Sequence, residues 1–260
     1  MQKKNILNLL SFSHYVADVV SLELKKGYKS IKNSFNRKSY DFRQIVSPLD
    51  LKIEKLVRKL ILEKYPSHNI IGEEIEDKNK NSDYTWIIDP IDGTKAYLSG
   101  IPVFTFLLSL KFKEKFIFGL VEQPILKERF WNFNNIAYLN NNIIKTKKCK
   151  KLSEAIIAIT EPEMFSSYAN FNKNLFKNTS FIRWGTDALG YMRCAEGIID
   201  GVVERNIKIW DIAAIEPIIK SAGGIISTWD GKKIGTNDTV VAVGDKKIHG
   251  VLVNTLQKLI

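Results

Sequence analysis

Trp86-Ile87-Ile88-Asp89-Pro90-Ile91-Asp92-Gly93-Thr94 is the stretch that decides how the rest of the chain is read. An apolar, strand-like segment delivers two aspartates, three positions apart around Pro90, and Gly93 and Thr94 follow at once. Proline lacks a backbone donor and glycine opens conformations closed to other residues. The pair therefore predicts that the strand stops and turns here, leaving both carboxylates at the rim of a sheet. Adjacent carboxylates repel unless something positive sits between them, and no Lys or Arg lies in this run. A hard divalent cation such as Mg2+ is the natural partner, because it takes oxygen ligands.

Two more acidic segments fit the same chemistry. Ile70-Ile71-Gly72-Glu73-Glu74 is another apolar run ending in carboxylates, and Trp210-Asp211 opens an apolar helical stretch from Ile212 to Ala222. Taken alone, Asp211 is a preferred helix N-cap and Glu73-Glu74 a solvated loop. Beside residues 86–94, both segments read as metal-ligating.

Outward from these segments the chain shows helical periodicity over 5–32. A second helix is punctuated by Ser47 as N-cap, Pro48 at its first position, Asp50 in its first turn and Pro66 beyond its end. Strands are expected near 70–73 and 84–89, then a hairpin of 103–112 and 116–123, then short strands over 136–144. A lysine cluster (Lys147, Lys148, Lys150, Lys151) marks a boundary between halves of 1–146 and 147–260. The second half alternates strand and helix: strands at 155–160, 181–184, 201–204, 225–229 and 240–244, helices at 165–176, 188–197, 211–222 and 246–259. This is layered α/β patterning, with Pro217 predicting a kink in the 211–222 helix.

The 260 residues are 45% hydrophobic, enough for a substantial core. No apolar run is long enough to span a bilayer, and the N-terminus lacks a small-residue cleavage site, so it reads as the first helix. Cys149 and Cys194 have neither metal-site nor disulfide-framework spacing, which fits a reducing cytoplasm. His14, His68 and His249 are scattered and read as core or surface residues. The net charge of +11 could attract RNA or an anionic membrane, but the lysines are spread, and the charge reads as compositional with some attraction for phosphoesters.

Gly72-Glu73-Glu74, Asp89-Pro90-Ile91-Asp92-Gly93-Thr94 and Trp210-Asp211-Ile212-Ala213-Ala214, in this order and spacing, resemble the three signatures of the inositol monophosphatase family. The resemblance implies an α+β fold, a layered α-β-α-β-α sandwich of the sugar-phosphatase type, and a phosphomonoesterase using two or three Mg2+. It implies that Glu73, Asp89 and the carbonyl of Ile91 hold one ion. Asp89, Asp92 and Asp211 would hold another, and Glu73 and Thr94 would orient and deprotonate the attacking water. Gly93 and Thr94 open a short helix whose N–H groups suit phosphate oxygens. Asp50, in Ser47-Pro48-Leu49-Asp50, matches an outer acidic residue of the family whose motif carries Thr where this chain has Ser47; helix capping accounts for Asp50 equally well. A family lysine is hard to place, with Lys38 as candidate.

Gly185-Thr186-Asp187 and Val202-Val203-Glu204 match the family's substrate-pocket positions. Asp187, Tyr191, Glu204 and Gly119–Pro124 look most like the histidinol-phosphatase branch, whereas Trp210 is the wider family's residue. Two pocket carboxylates suit an ammonium-bearing substrate such as L-histidinol phosphate, an intermediate of histidine biosynthesis, and disfavour an anionic nucleotide. Capping of the 188–197 helix accounts for Asp187 nearly as well. The alternatives are inositol-1-monophosphatase or a broad sugar-phosphate phosphatase, then a 3′-phosphoadenosine 5′-phosphate phosphatase, then an RNA- or transcription-associated relative. The family expectation for assembly is a homodimer.

Overall fold

The computed structural model describes residues 3–31, 36–37, 45–165, 168–235 and 238–259. Helix α1 (Lys3–Lys29) turns Leu9, Val16, Val20 and Leu24 to one side, as its 3.6-residue period requires. A two-strand ribbon (β1, Asn36–Arg37; β2, Ile45–Val46) leads to α2 (Pro48–Lys64), capped by Ser47 as expected. Both helices lie on one face of a seven-stranded sheet made of β3 (Asn69–Gly72), β4 (Tyr84–Asp92), β5 (Thr105–Phe112), β6 (Lys115–Gln123), β7 (Glu128–Phe133), β8 (Ile136–Leu139) and β9 (Asn142–Ile144). Helix α3 (Thr94–Leu98) sits between β4 and β5. Only β3 and β4 run parallel; the remaining neighbours are antiparallel.

The second sheet has the order β11-β10-β12-β14-β13, from β10 (Ile156–Ile159), β11 (Phe181–Trp184), β12 (Gly201–Ile207), β13 (Ile225–Ser227) and β14 (Asp238–Val243). Helices α5 (Asp187–Ala195) and α7 (Ile215–Ser221) lie between the two sheets. On the outer face of the second sheet, α8 (Lys246–Leu256) and α4 (Tyr168–Asn174) share a core with Trp229 and Val243. The layers are therefore α-β-α-β-α, as the family resemblance implies. Strand alternation divides the cores: Phe106, Leu108 and Leu110 face α1 and α2, while Leu107 faces α7. The middle core joins Leu107, Val121, Phe130 and Ile144 to Met192, Ile215, Ile218 and Ala242, so residues on both sides of 146/147 are buried together. Among the described residues no helix is long and apolar enough to cross a membrane.

Five local expectations need correction. Strand β4 does not stop at Pro90; it runs on to Asp92 through a register shift between Asp89 and Asp92. Pro90 is tolerated because β3 ends its pairing at Gly72–Ile88, so no neighbour on that side needs the missing N–H. Asp89 consequently lies inside the sheet at 1% exposure, not at its rim. The 211–222 helix is two helices, α6 (Ile209–Ile212) and α7, broken at Ala213–Ala214. Pro217 has no N–H for the carbonyl of Ala213; Ser109 Oγ lies 2.9 Å from that carbonyl and 3.0 Å from the carbonyl of Phe118, and its one proton is shared between them. Strand β12 extends three residues beyond the expected Glu204, to Ile207, through an irregularity. Strand β7, with its charged and aromatic run, is absent from the expected elements. The 165–176 helix is shorter, as α4 followed by a 3-10 turn at Phe176–Asn178; residues 166–167 and Lys38 lie outside the described residues.

Candidate active site

The end of β4 forms the floor of a cavity of about 750 Å3 between the halves. Asp89 and Asp92 project from β4, and Asp211 arrives from the first turn of α6. One carboxylate oxygen from each lies within 4.8 Å of the others. Asp89 is buried, and its Oδ1 has no hydrogen-bond partner among the described residues. An orphaned buried carboxylate oxygen is costly, and an oxygen-seeking divalent cation would satisfy it, so the donor set fits the expected metal. With only the protein's own groups present, burial pushes the Asp89 and Asp92 carboxyls well above the usual range, and neighbouring carboxylates push them further. Asp211 is pushed up to about 8, chiefly by burial and then by Glu73.

These aspartates also do the structural work that the cautious reading assigned to one of them. Asp211 Oδ2 accepts the N–H of Lys208 at 2.7 Å, capping α6. Asp92 Oδ1 accepts the N–H of Ala188 at 2.7 Å, in the first turn of α5. Capping and metal ligation are compatible here, because a carboxylate has more lone pairs than the cap uses. Glu73, on the loop after β3, stands beyond the tight group of three but lines the same cavity. Its charge is the largest contribution after burial to the upward shifts of Asp89 and Asp211.

Asp50 makes the helix cap weighed for it and also contacts Thr94 of the cavity. It is fully buried, closes a capping box with Ser47, whose N–H donates to Oδ2 at 2.8 Å, and accepts the Thr94 hydroxyl on Oδ1 at 3.1 Å. Burial pushes its carboxyl up to about 6. Thr94 Oγ1 also lies 2.9 Å from the Ile91 carbonyl, so its single proton serves one of two acceptors at a time. Gly93 adopts φ +81°, and a Cβ there would fall 3.2 Å from Asp187 Oδ2 and 3.3 Å from the Phe104 backbone.

The opposite wall comes from the second half. Glu204 is buried, accepts hydrogen bonds from Thr160 Oγ1 and from the Tyr191 hydroxyl (2.8 Å), and is pushed up to about 7 by burial. Asp187 opens α5 at φ 46°, with its N–H donated to Thr160 Oγ1 at 3.2 Å, and burial pushes its carboxyl up to about 6. Sequence reasoning missed Lys95, whose ammonium pairs with Glu161 and links α3 to the second half across the cavity mouth. Its only signal was its place one residue after the aspartate run. His68, away from the site, is a core residue as expected: it accepts Trp86 Nε1–H at 3.0 Å between the rings of Tyr65 and Tyr84.

Known proteins resemble this chain in sequence and in fold. A bifunctional phosphatase of Arabidopsis thaliana (IMPL2, chloroplastic) is 36% identical over 242 residues, 88% of this chain and 70% of the plant protein. A fructose-1,6-bisphosphatase/inositol-1-monophosphatase of Aquifex aeolicus is 31% identical, covering 98% of this chain and 97% of its own. The crystal structure of the extragenic suppressor protein suhB of Bartonella henselae superposes with a TM-score of 0.89 at 27% identity, over 97% of this chain and 100% of that one. The profile of the inositol monophosphatase family matches residues 7–260. With its three acidic segments brought to one cavity between two sheets, this chain belongs to the inositol monophosphatase family, a family of phosphatases.

Proposed function

We propose that the chain is a Mg2+-dependent phosphomonoesterase acting on a small phosphorylated alcohol. One observation carries this: three aspartate carboxylates within 4.8 Å, one with an unpartnered buried oxygen, in a cavity large enough for a phosphorylated metabolite. Asp89, Asp92, Asp211, Glu73 and the Ile91 carbonyl would hold the ions. When bound, the ions supply positive charge to the attacking and leaving oxygens. Glu73 takes the proton of the attacking water, and Thr94 Oγ1, fixed between Asp50 and Ile91, orients that water. The backbone N–H groups of Gly93 and Thr94 receive phosphate oxygens.

Within that class, L-histidinol phosphate is the leading substrate. The wall facing the aspartates carries Asp187 and Glu204, and Lys95 is engaged by Glu161. An ammonium group on the alcohol would gain charge-assisted hydrogen bonds there, whereas a second phosphate would be repelled. A neutral polyol phosphate, such as inositol monophosphate, is the second reading. It is favoured by Glu204 already accepting from both Thr160 and Tyr191, which leaves Asp187 to face an ammonium. Phosphate release from histidinol phosphate, inositol monophosphate and 3′-phosphoadenosine 5′-phosphate, with Mg2+ and with chelator, tests both levels. Activity in excess chelator would end the metal reading. A preference for inositol monophosphate would end the histidinol reading alone.

A further inference from the structure

Glu54 and Arg58 lie one turn apart on α2, and Glu54 is wholly buried. A charged pair on this face does nothing for helix amphipathicity, yet it is tied into the chain entirely through one loop. Glu54 Oε1 accepts Arg58 Nε at 2.7 Å and the N–H of Ile75 at 3.2 Å, while Oε2 accepts the N–H of Glu74 at 2.7 Å. Arg58 donates to the carbonyls of Ile75 (2.6 Å) and Glu76 (3.1 Å). Two side chains thus hold the backbone of three successive residues, those immediately after Glu73. On the other side of Glu73, a Cβ on Gly72 would fall 2.1 Å from Glu54 Oε1 and 2.8 Å from Arg58 Nη2, so the backbone lies directly on the pair. The loop base is closed by paired backbone bonds between Ile70 and Lys78 at 2.8 and 2.9 Å.

We propose that the Glu54–Arg58 pair is a positioning device for Glu73. It fixes the peptide units flanking Glu73 and thereby sets that carboxylate toward the cavity that holds Asp89. The inference rests on the reading of Glu73 as a metal-site carboxylate. Charge is what this device needs: a carboxylate accepts two loop N–H groups while also holding the guanidinium, and the guanidinium fork reaches two carbonyls at once. Glu54→Gln replaces one acceptor oxygen with an amide donor that would face either the Arg58 fork or a loop N–H. Arg58→Lys keeps the positive charge but loses the fork.

The test uses the full chain and measures Mg2+ affinity by titration calorimetry without substrate, kcat, and amide exchange over 74–76. Glu54→Gln should weaken Mg2+ binding about 10- to 100-fold, the scale for residues that orient ligands from behind. It should lower kcat and speed exchange in the loop, with Arg58→Lys intermediate. Lower melting with wild-type Mg2+ affinity and kcat in both variants would overturn the proposal and leave a merely structural pair. If Glu54→Gln does not fold, Arg58→Lys decides by the same readouts. Glu73→Gln is the reference. Wild-type affinity and turnover there would remove Glu73 from the site, whereas an impaired Glu73→Gln beside normal pair variants would refute the positioning role alone.

Discussion

The two walls of the cavity are built by different means. The aspartate wall rests on a nine-residue strand inside a seven-stranded sheet, and each of Asp89, Asp92 and Asp50 is fixed by burial or by a second contact behind it. The facing wall is made of a helix start and a strand end: Asp187 at φ 46° and Asn206 at φ 64° occupy left-handed backbone, and β12 loses regular register between Glu204 and Ile207. A site that must hold cations needs fixed oxygens, whereas a wall that meets variable alcohols can be built from turns and element ends. Under the proposed function the first wall would define the reaction and the second the substrate, and substitutions on them should separate accordingly.

The largest effect is expected on the aspartate wall. Asp92→Asn and Asp211→Asn each keep an oxygen for the cap they make but remove a ligating charge. kcat/KM should fall about a thousandfold or more on every substrate, the several kcal/mol expected for lost metal-borne charge stabilisation. The chelated proteins should melt no lower than wild type, because the cost of burying or protonating a carboxylate among other carboxylates has gone. Turnover near wild type at saturating Mg2+ would dissolve the distinction between the walls.

Next in size is the pH dependence of stability in chelator. Asp50, Glu204 and Asp211 are raised to about 6, 7 and 8, whereas an unfolded carboxyl titrates near pH 4. The folded chain thus holds protons that the unfolded chain has released. The stability they contribute is fully present below about pH 4 and is lost as pH rises through 6 to 8. Melting temperature in chelator should therefore fall between pH 5.5 and 8.5. Mg2+ should restore it strongly at pH 8.5 and weakly at pH 5.5, where protons compete for the same oxygens. A chelated profile that is flat or rises over this range would contradict the burial assigned to these carboxyls.

A smaller and more selective effect belongs to the facing wall. Asp187→Asn should cost histidinol phosphate about 1.5–3 kcal/mol in kcat/KM, the scale of a hydrogen bond between charged groups, while inositol monophosphate loses little. Because both substrates present the same phosphate, their ratio cancels damage to the metal site. Equal losses would assign Asp187 to structure. The smallest effect is expected for Lys95→Met. Its half-exposed pair with Glu161 should contribute no more than about 1 kcal/mol, read as a change in KM with kcat nearly constant. A collapse of kcat would move Lys95 to the aspartate wall.

The same contrast explains what could be read from the sequence. The aspartate wall is legible because Asp89 and Asp92 share one strand and Asp211 follows a recognisable helix start. The change of periodicity after the lysine cluster shows two halves, while the layer order comes only from the family resemblance. The continuation of β4 through Pro90 is not, because it depends on where β3 stops pairing. The break at Ala213 shows as Pro217, but the hydroxyl donor that meets its carbonyl, Ser109, is more than a hundred residues away and carries no local signal. Glu54 and Arg58 look like any exposed i, i+4 pair until the loop that covers them is in place.

The middle core, which buries Leu107 and Val121 against Ile215 and Ile218, has a consequence for the order of events during synthesis. Asp89 and Asp92 leave the ribosome early, with a sheet whose inner face still lacks its cover. Asp211 and α7 come late, and they seat together, since the carbonyl of Ala213 is held by Ser109 and Ala214 lies against Gly119. The event that closes the core is therefore the one that completes the trio of carboxylates. A nascent or truncated chain ending before α6 has no third aspartate with which to trap a cation, and one ending before α7 lacks the helix that covers the sheet behind it. Under the proposed function, catalytic competence would then report that the chain is nearly finished and that the core joining its early and late segments has closed.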